Sequence, residues 1–234
     1  MFIISILLFV GTMAISLYAM ARLKSTYHHY LGITTRSGLT GAEVAQRILD
    51  AADISDVDVV AGEGMLGDHY DPMNKRLVLS PDNYHGTSIA ALGVAAHECG
   101  HAVQHKIAYA PLHWRMAAVG AATFANQVVM WLPLLGMFTG IISNYYMMAM
   151  FMAAAWGVIM LFNLVTLPVE FDASSRAKVI LGKMGFIQPG EEADGVNKVL
   201  RAAALTYVAA FITSLAYFLY YLLPLLLGGR RSND

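Results

Sequence analysis

Ala95-Ala96-His97-Glu98-Cys99-Gly100-His101-Ala102-Val103-Gln104-His105 contains the pattern His-Glu-x-x-His. On a helix, residues four apart lie one above the other on the same face. His97 and His101 can therefore present two imidazoles to one metal ion. Glu98 sits roughly 100° around the helix from His97. That puts its carboxylate beside the ion, where it can take a proton from water without being a ligand. Two histidines need a third protein ligand, with the fourth position left open to water. This residue set is that of a zinc hydrolase of peptide bonds. Eight histidines and six glutamates in 234 residues would give the pattern by chance about 0.007 times. A helix that merely carries surface histidines fits poorly. The flank Ile89-Ala90-Ala91-Leu92-Gly93-Val94-Ala95-Ala96 is apolar and small, which predicts a buried helix, and unpaired buried imidazoles are costly.

The chain is 57% hydrophobic and only 13% charged, against about 25% charged in soluble domains. A net charge of -1 argues against a nucleic-acid partner. The one cysteine, Cys99, allows no intrachain disulfide. It lies two residues from His97, on roughly the opposite side of the helix, and reads as a packing residue rather than a ligand. Fourteen Met and twelve Tyr suit long lipid-facing helices better than a cofactor box.

Residues Phe2 to Met20 form an uncharged apolar run long enough to cross a bilayer. Ala19-Met20-Ala21 resembles a signal cleavage site, but no Lys or Arg precedes the run, as a signal requires. An uncleaved anchor with its N-terminus outside is expected. Next, Thr40-Gly41-Ala42-Glu43 has the form of a capping box and opens a helix to about Ala51 with Val44, Ile48 and Leu49 on one face. Asp58 to Ala61 and Arg76 to Leu79 read as short strands. Between them lie Gly62 to Tyr70 and the turn signal Asp71-Pro72-Met73-Asn74. The motif helix begins near Thr87 or Ser88 and runs to about Lys106. Met116 to Ile142 and Met147 to Leu167 are further apolar spans, joined through Ser143-Asn144-Tyr145-Tyr146. Asn126 and Gln127 in the first, and Asn163 in the second, are expected to face the bundle interior. A last span runs from about Leu205 to Leu227, before Arg230-Arg231.

The expected fold is a mostly α membrane protein with about four transmembrane helices and a small α+β, zincin-like domain at the membrane face. Its parts are an anchor (1–21), a metallopeptidase domain with the motif helix (22–115), a transmembrane hairpin (116–167), a third-ligand helical segment (168–204), and a transmembrane helix with tail (205–234). Four spans put both termini on one side and the two large polar segments on the other. Segments 21–115 and 168–204 carry 8 and 5 Lys/Arg, and the terminal segments 2. The positive-inside rule then predicts a cytoplasmic site.

The hairpin leaves and re-enters the membrane face that carries His97 and His101. The segment after it, Leu167-Pro168-Val169-Glu170-Phe171-Asp172-Ala173-Ser174-Ser175-Arg176-Ala177, is therefore the place to seek the third ligand. Pro168 either kinks the span or starts a new helix with Thr166 as N-cap. Glu170 shares a helix face with Ala173, Ser174 and Ala177, whose small side chains permit close approach. Asp172 points roughly 200° away, with Arg176 as its i,i+4 partner. Glu170 is the favoured ligand. The alternatives are Asp172, or two acids that merely stabilise a helix N-terminus.

At these residues the chain resembles the YugP-type neutral zinc metallopeptidases, a group of bacterial membrane proteins. The likeness runs in order through the anchor, His97 to Gln104, the apolar hairpin, Leu167 to Ser174 and the final span. More distantly it resembles gluzincin membrane proteases of the CAAX-endopeptidase and HtpX type, which pair the two-His helix with a Glu on a later helix. In those an Asp often follows that Glu by four residues and supports a ligand; here the position is Ser174. The resemblance implies zinc and peptidase activity but no defined substrate. One zinc ion, residence in the bacterial cell membrane, a peptide or membrane-protein substrate and the bilayer as partners are the expectations.

The mechanism expected is hydrolysis by water activated at a zinc on His97, His101 and Glu170, with Glu98 as base. The oxyanion donor is open among His69, Tyr70 and Tyr207, residues that are each more often packing or interfacial than catalytic. His105 could orient a ligand, or be a solvated residue at the helix end. His28, His29, His85 and His113 have no partner at ligand spacing and read as structural or surface residues. An intramembrane zinc protease is a rival reading, but no run of about 18 apolar residues covers the motif. A zinc-stabilised membrane adaptor without catalysis is another, but it would have no use for Glu98. The extended stretch Glu63 to Tyr70 can pair with a peptide by strand addition. Substituting Met65 or Leu66 should therefore shift cleavage preference among test peptides while leaving zinc content, read by atomic absorption, near wild type; a loss equal to that of His97→Ala would count against the idea.

Overall fold

The computed structural model describes residues 2–63, 67–139 and 145–228. Met65 and Leu66, the Ser143-Asn144 turn and Arg230-Arg231 lie outside them. The described chain is mostly helical, in the order α1 (Phe2–Leu31), α2 (Gly41–Ala51), β1 (Asp58–Ala61), β2 (His69–Asp71), β3 (Arg76–Leu79), α3 (Pro81–Tyr84), α4 (Ile89–Lys106), α5 (Ala110–Thr139), α6 (Tyr145–Lys183) and α7 (Glu191–Gly228). It forms two compact units. One comprises Met1–Leu17, Trp114–Leu167 and Tyr207–Asp234; the other comprises Tyr18–His113 and Pro168–Thr206.

The second unit holds the main core. Thr40 and Glu43 close a reciprocal cap on α2: Glu43 N–H donates to Thr40 Oγ1 at 3.2 Å and Thr40 N–H to Glu43 Oε2 at 2.8 Å. The hydrogen bonds hold the Glu43 carboxyl below its usual pKa. The cap directs Val44, Ala45, Ile48 and Leu49 inward, into one cluster with Leu92, Ala95, Ala96 and Cys99 of α4. Ser88 caps α4 by accepting from Ala91 N–H at 3.1 Å. The three strands form a sheet in the order β1-β3-β2, with β1 parallel and β2 antiparallel to β3. The Asp71 side chain accepts from Met73 N–H, Asn74 N–H and the Asn74 amide, which makes the β2–β3 turn. Leu77 and Leu79 of the central strand are fully buried.

Among the described residues, four helices are long and apolar enough to cross a membrane: Ile3–Leu31, Ala110–Phe138, Tyr146–Lys183 and Glu191–Leu226. In the first unit, Ala125, Ala155 and Ile159 pack together, while large apolar side chains such as Leu7, Phe124 and Leu161 are exposed, as a lipid-facing surface requires. The Asn163 amide donates to Ala210 O and Ser214 Oγ, an interhelical polar contact. Asn126 and Gln127 differ from expectation: both are exposed. Each has a hydrogen-bond partner inside its own helix, Asn126 Nδ2 donating to Ala122 O and Gln127 Oε1 accepting from Trp131 Nε1. Of the two alternatives for Pro168, the new helix start is excluded. Pro168 lies inside α6, and Thr166 is no N-cap, since its hydroxyl donates back to Phe162 O at 2.8 Å.

Truncating Leu77 to Ala removes a fully buried side chain from the middle strand. It should cost about 2–5 kcal/mol, read as a lower denaturation midpoint of the solubilised protein.

Candidate metal centre

Helix α4 carries His97, Glu98 and His101; α6 carries Glu170 and Ser174. The helices can meet because position 100 is glycine. A Cβ there would stand 2.7 Å from Ala173 O and 3.1 Å from Ala173 Cα, closer than atoms tolerate. This is a backbone-to-backbone approach, and it brings Glu170, three residues before Ala173, to the two histidines.

His97 Nε2 lies 3.3 Å and His101 Nε2 3.7 Å from Glu170 Oε2, and one donor atom from each of the three residues falls within 4.8 Å of the others. Two ligands about 2.05 Å from a tetrahedral zinc would be roughly 3.3 Å apart, so the spacing fits an ion between them. The donor set, two imidazoles and a carboxylate, also suits zinc. Glu170 is 2% exposed and His101 7%. Burial works against charge on His101, yet the Glu170 hydrogen bond and the charges of Glu98 and Glu170 raise its pKa above the ordinary value. The local field favours a cation.

Both imidazoles are held from behind. His97 Nδ1 is 3.2 Å from Ser174 Oγ, and His101 Nδ1 is 3.0 Å from Gln104 Oε1. Such partners orient the rings and leave Nε2 for a metal. Ser174 thus touches a histidine of the pair. Glu98 is buried. Cys99 faces the other way, its thiol 3.6 Å from Ala45 O and its pKa pushed well up by burial, so it is a packing residue.

His105 and His69 are engaged outside the trio. His105 Nδ1 pairs with Tyr70 OH at 2.9 Å, not with a ligand of the trio. Burial, with Lys75 and His113 nearby, holds the His105 pKa below its usual value, and burial with Asp56 and Asp71 pushes that of Tyr70 up to about 12. His69 is exposed at the start of β2, its ring nitrogen on Gly67 O. Tyr207 belongs to the unit of apolar helices. Sequence reasoning assigned Gln104 no role. Its signal was the i,i+3 spacing from His101 on one helix face. Asp172 pairs with Arg176 as expected, at 2.6 and 3.2 Å, but it also accepts from Gln104 Nε2 at 2.8 Å.

Apolar helices of spanning length and a largely buried two-histidine, one-carboxylate cluster fit a membrane-associated protein with a candidate metal site. Residues 5–226 match the family described as "Putative neutral zinc metallopeptidase", and the chain belongs to that family, the one its motifs resemble. It is 43% identical over 228 residues, 97% of this chain and 99% of the relative, to the "Putative membrane protease YugP" of Bacillus subtilis (strain 168). No solved structure matches at a significant level. The family implies zinc.

Gly100→Ala should weaken zinc binding by about tenfold or more, because Glu170 must retreat with Ala173. The change improves helix propensity by about 1 kcal/mol, so helix loss would not explain the result. At Gly93 an added Cβ meets only Val196 atoms at ordinary distance, and Gly93→Ala should keep its zinc; chelator titration of both variants checks this.

Proposed function

We propose that this chain is a membrane-bound, zinc-dependent endopeptidase of zincin-like type that hydrolyses peptide bonds at the cytoplasmic face. The observation that carries this reading is the convergence of His97, His101 and Glu170 beside the buried Glu98. A zinc ion, when bound, supplies Lewis-acid polarisation of a carbonyl and a lowered pKa for water. His97 and His101 would hold it through Nε2, and Glu170 through a carboxylate oxygen. Glu98 takes a proton on its carboxylate from the attacking water and passes it to the nitrogen of the departing amine. Its carboxylate makes no hydrogen bond to a described residue, which leaves it available for that traffic. The apolar helices support a peptide or membrane-protein substrate met at the bilayer, and the excess of Lys and Arg in segments 21–115 and 168–204 supports the cytoplasmic side.

Glu98→Gln should retain one zinc per chain and lose casein cleavage by about 10²–10⁴-fold, whereas His97→Ala and Glu170→Gln should lose the metal. Zinc content and cleavage are read on the same purified samples. If zinc-loaded wild type cleaves neither casein nor an unfolded membrane protein while a protein partner binds it and Glu98→Gln equally, the adaptor reading replaces this one.

A further inference from the structure

Gln104 is fully buried, and its amide makes three hydrogen bonds. Two partners, Val169 O and Asp172 Oδ2, both at 2.8 Å, can only accept, because one is a carbonyl and the other belongs to an ion-paired carboxylate. The atom that faces them must be the amide nitrogen. The amide oxygen is thereby turned to His101 Nδ1 at 3.0 Å. An amide oxygen cannot donate, so Nδ1 must carry the hydrogen, and the neutral ring has its lone pair on Nε2. Nε2 is the atom 3.7 Å from Glu170 Oε2.

The support continues outward. Arg176 Nε and Nη2 donate to the two Asp172 oxygens, and the Arg176 guanidinium lies 6.0 Å from the centre of the Tyr109 ring. Tyr109 N–H in turn donates to Gln104 O at 2.9 Å. The contacts thus run from Gln104 through α6 and back to the C-terminal end of α4. His97 has nothing comparable: its partner is a hydroxyl, which both donates and accepts and so selects no tautomer by itself.

We propose that Gln104 is a positioning residue that sets the tautomer and ring angle of His101, and that Asp172 and Arg176 act through it by locking the orientation of its amide. The proposal rests on the metal-centre reading above.

Zinc affinity of the full-length protein in detergent, by chelator competition, tests it, with the visible spectrum of the Co²⁺-loaded protein as a readout of ligand geometry. Gln104→Leu should weaken zinc binding about 10–100-fold and alter the cobalt bands. Gln104→Glu alone sets two carboxylates side by side and should also bind weakly. Combined with Asp172→Asn, the bond polarity is reversed. The new carboxylate at 104 accepts from His101 Nδ1–H, and the new amide at 172 donates to it while its oxygen accepts from Arg176. That pair should bind zinc more tightly than Gln104→Glu but stay below wild type, because Val169 O and Arg176 Nε, which face the native amide nitrogen and Asp172 Oδ2, lose their matching partners. The proposal is overturned if Gln104→Leu binds zinc like wild type, or if the double variant is no better than Gln104→Glu, since Gln104 would then be filling space only. Should Gln104→Leu fail to fold, the double-against-single comparison decides alone. Wild-type protein that binds no zinc would overturn the metal centre and this proposal together; wild-type binding with an indifferent Gln104→Leu overturns only the positioning role.

Discussion

Helices α4 and α6 touch backbone to backbone at Gly100 and Ala173, with no side chain between them. A carboxylate side chain is short, so the three donors can share one ion only if the helix carrying Glu170 comes this near. Ala177, on the same face of α6 and fully buried, continues the small-residue seam. The contact converts an i,i+4 histidine pair, which any helix can offer, into a three-donor cluster. It does so with rigid helical elements, which hold ligands more closely than loops do.

Such a cluster is a burden on the fold. Glu170 is almost wholly removed from water, and a buried carboxylate must be matched by positive charge or hydrogen bonds. Glu98 adds a second acid within the field of His101. The offsetting stabilisation comes from the apolar cluster behind α4, where Leu92, Ala95, Ala96 and Cys99 meet the inward face of α2. Thus one side of α4 carries the polar cluster and another is fixed in the core. That division explains why residues all around this helix are buried.

What could be read from the sequence was what depends on local spacing. The histidine pair, the Thr40–Glu43 cap, strands β1 and β3 and the Asp71 turn are set by residues within a few positions of one another. Glu170 needed a further step, the return of the chain after two apolar spans, followed by its helix face. Gln104 escaped because the groups that orient its amide, Val169 O and Asp172, lie 65 and 68 residues away. Asn126 and Gln127 were misread for the opposite reason. A polar residue in an apolar run suggests an interhelical partner, but each of these amides has its partner one turn along the same helix. Asn163, whose partners lie on α7, followed the interhelical rule. Nothing in the local pattern separates these cases.

The burial of Cys99 has a practical consequence. It is the single cysteine of the chain, shut between α2 and α4 with its thiol against Ala45 O. Alkylating reagents attack the thiolate, and burial suppresses that form here. A reagent gains entry only when α2 lifts from α4 in a transient opening. The speed of labelling is therefore a built-in clock for the breathing of the helix that carries both imidazoles, with no other sulfhydryl to blur the signal.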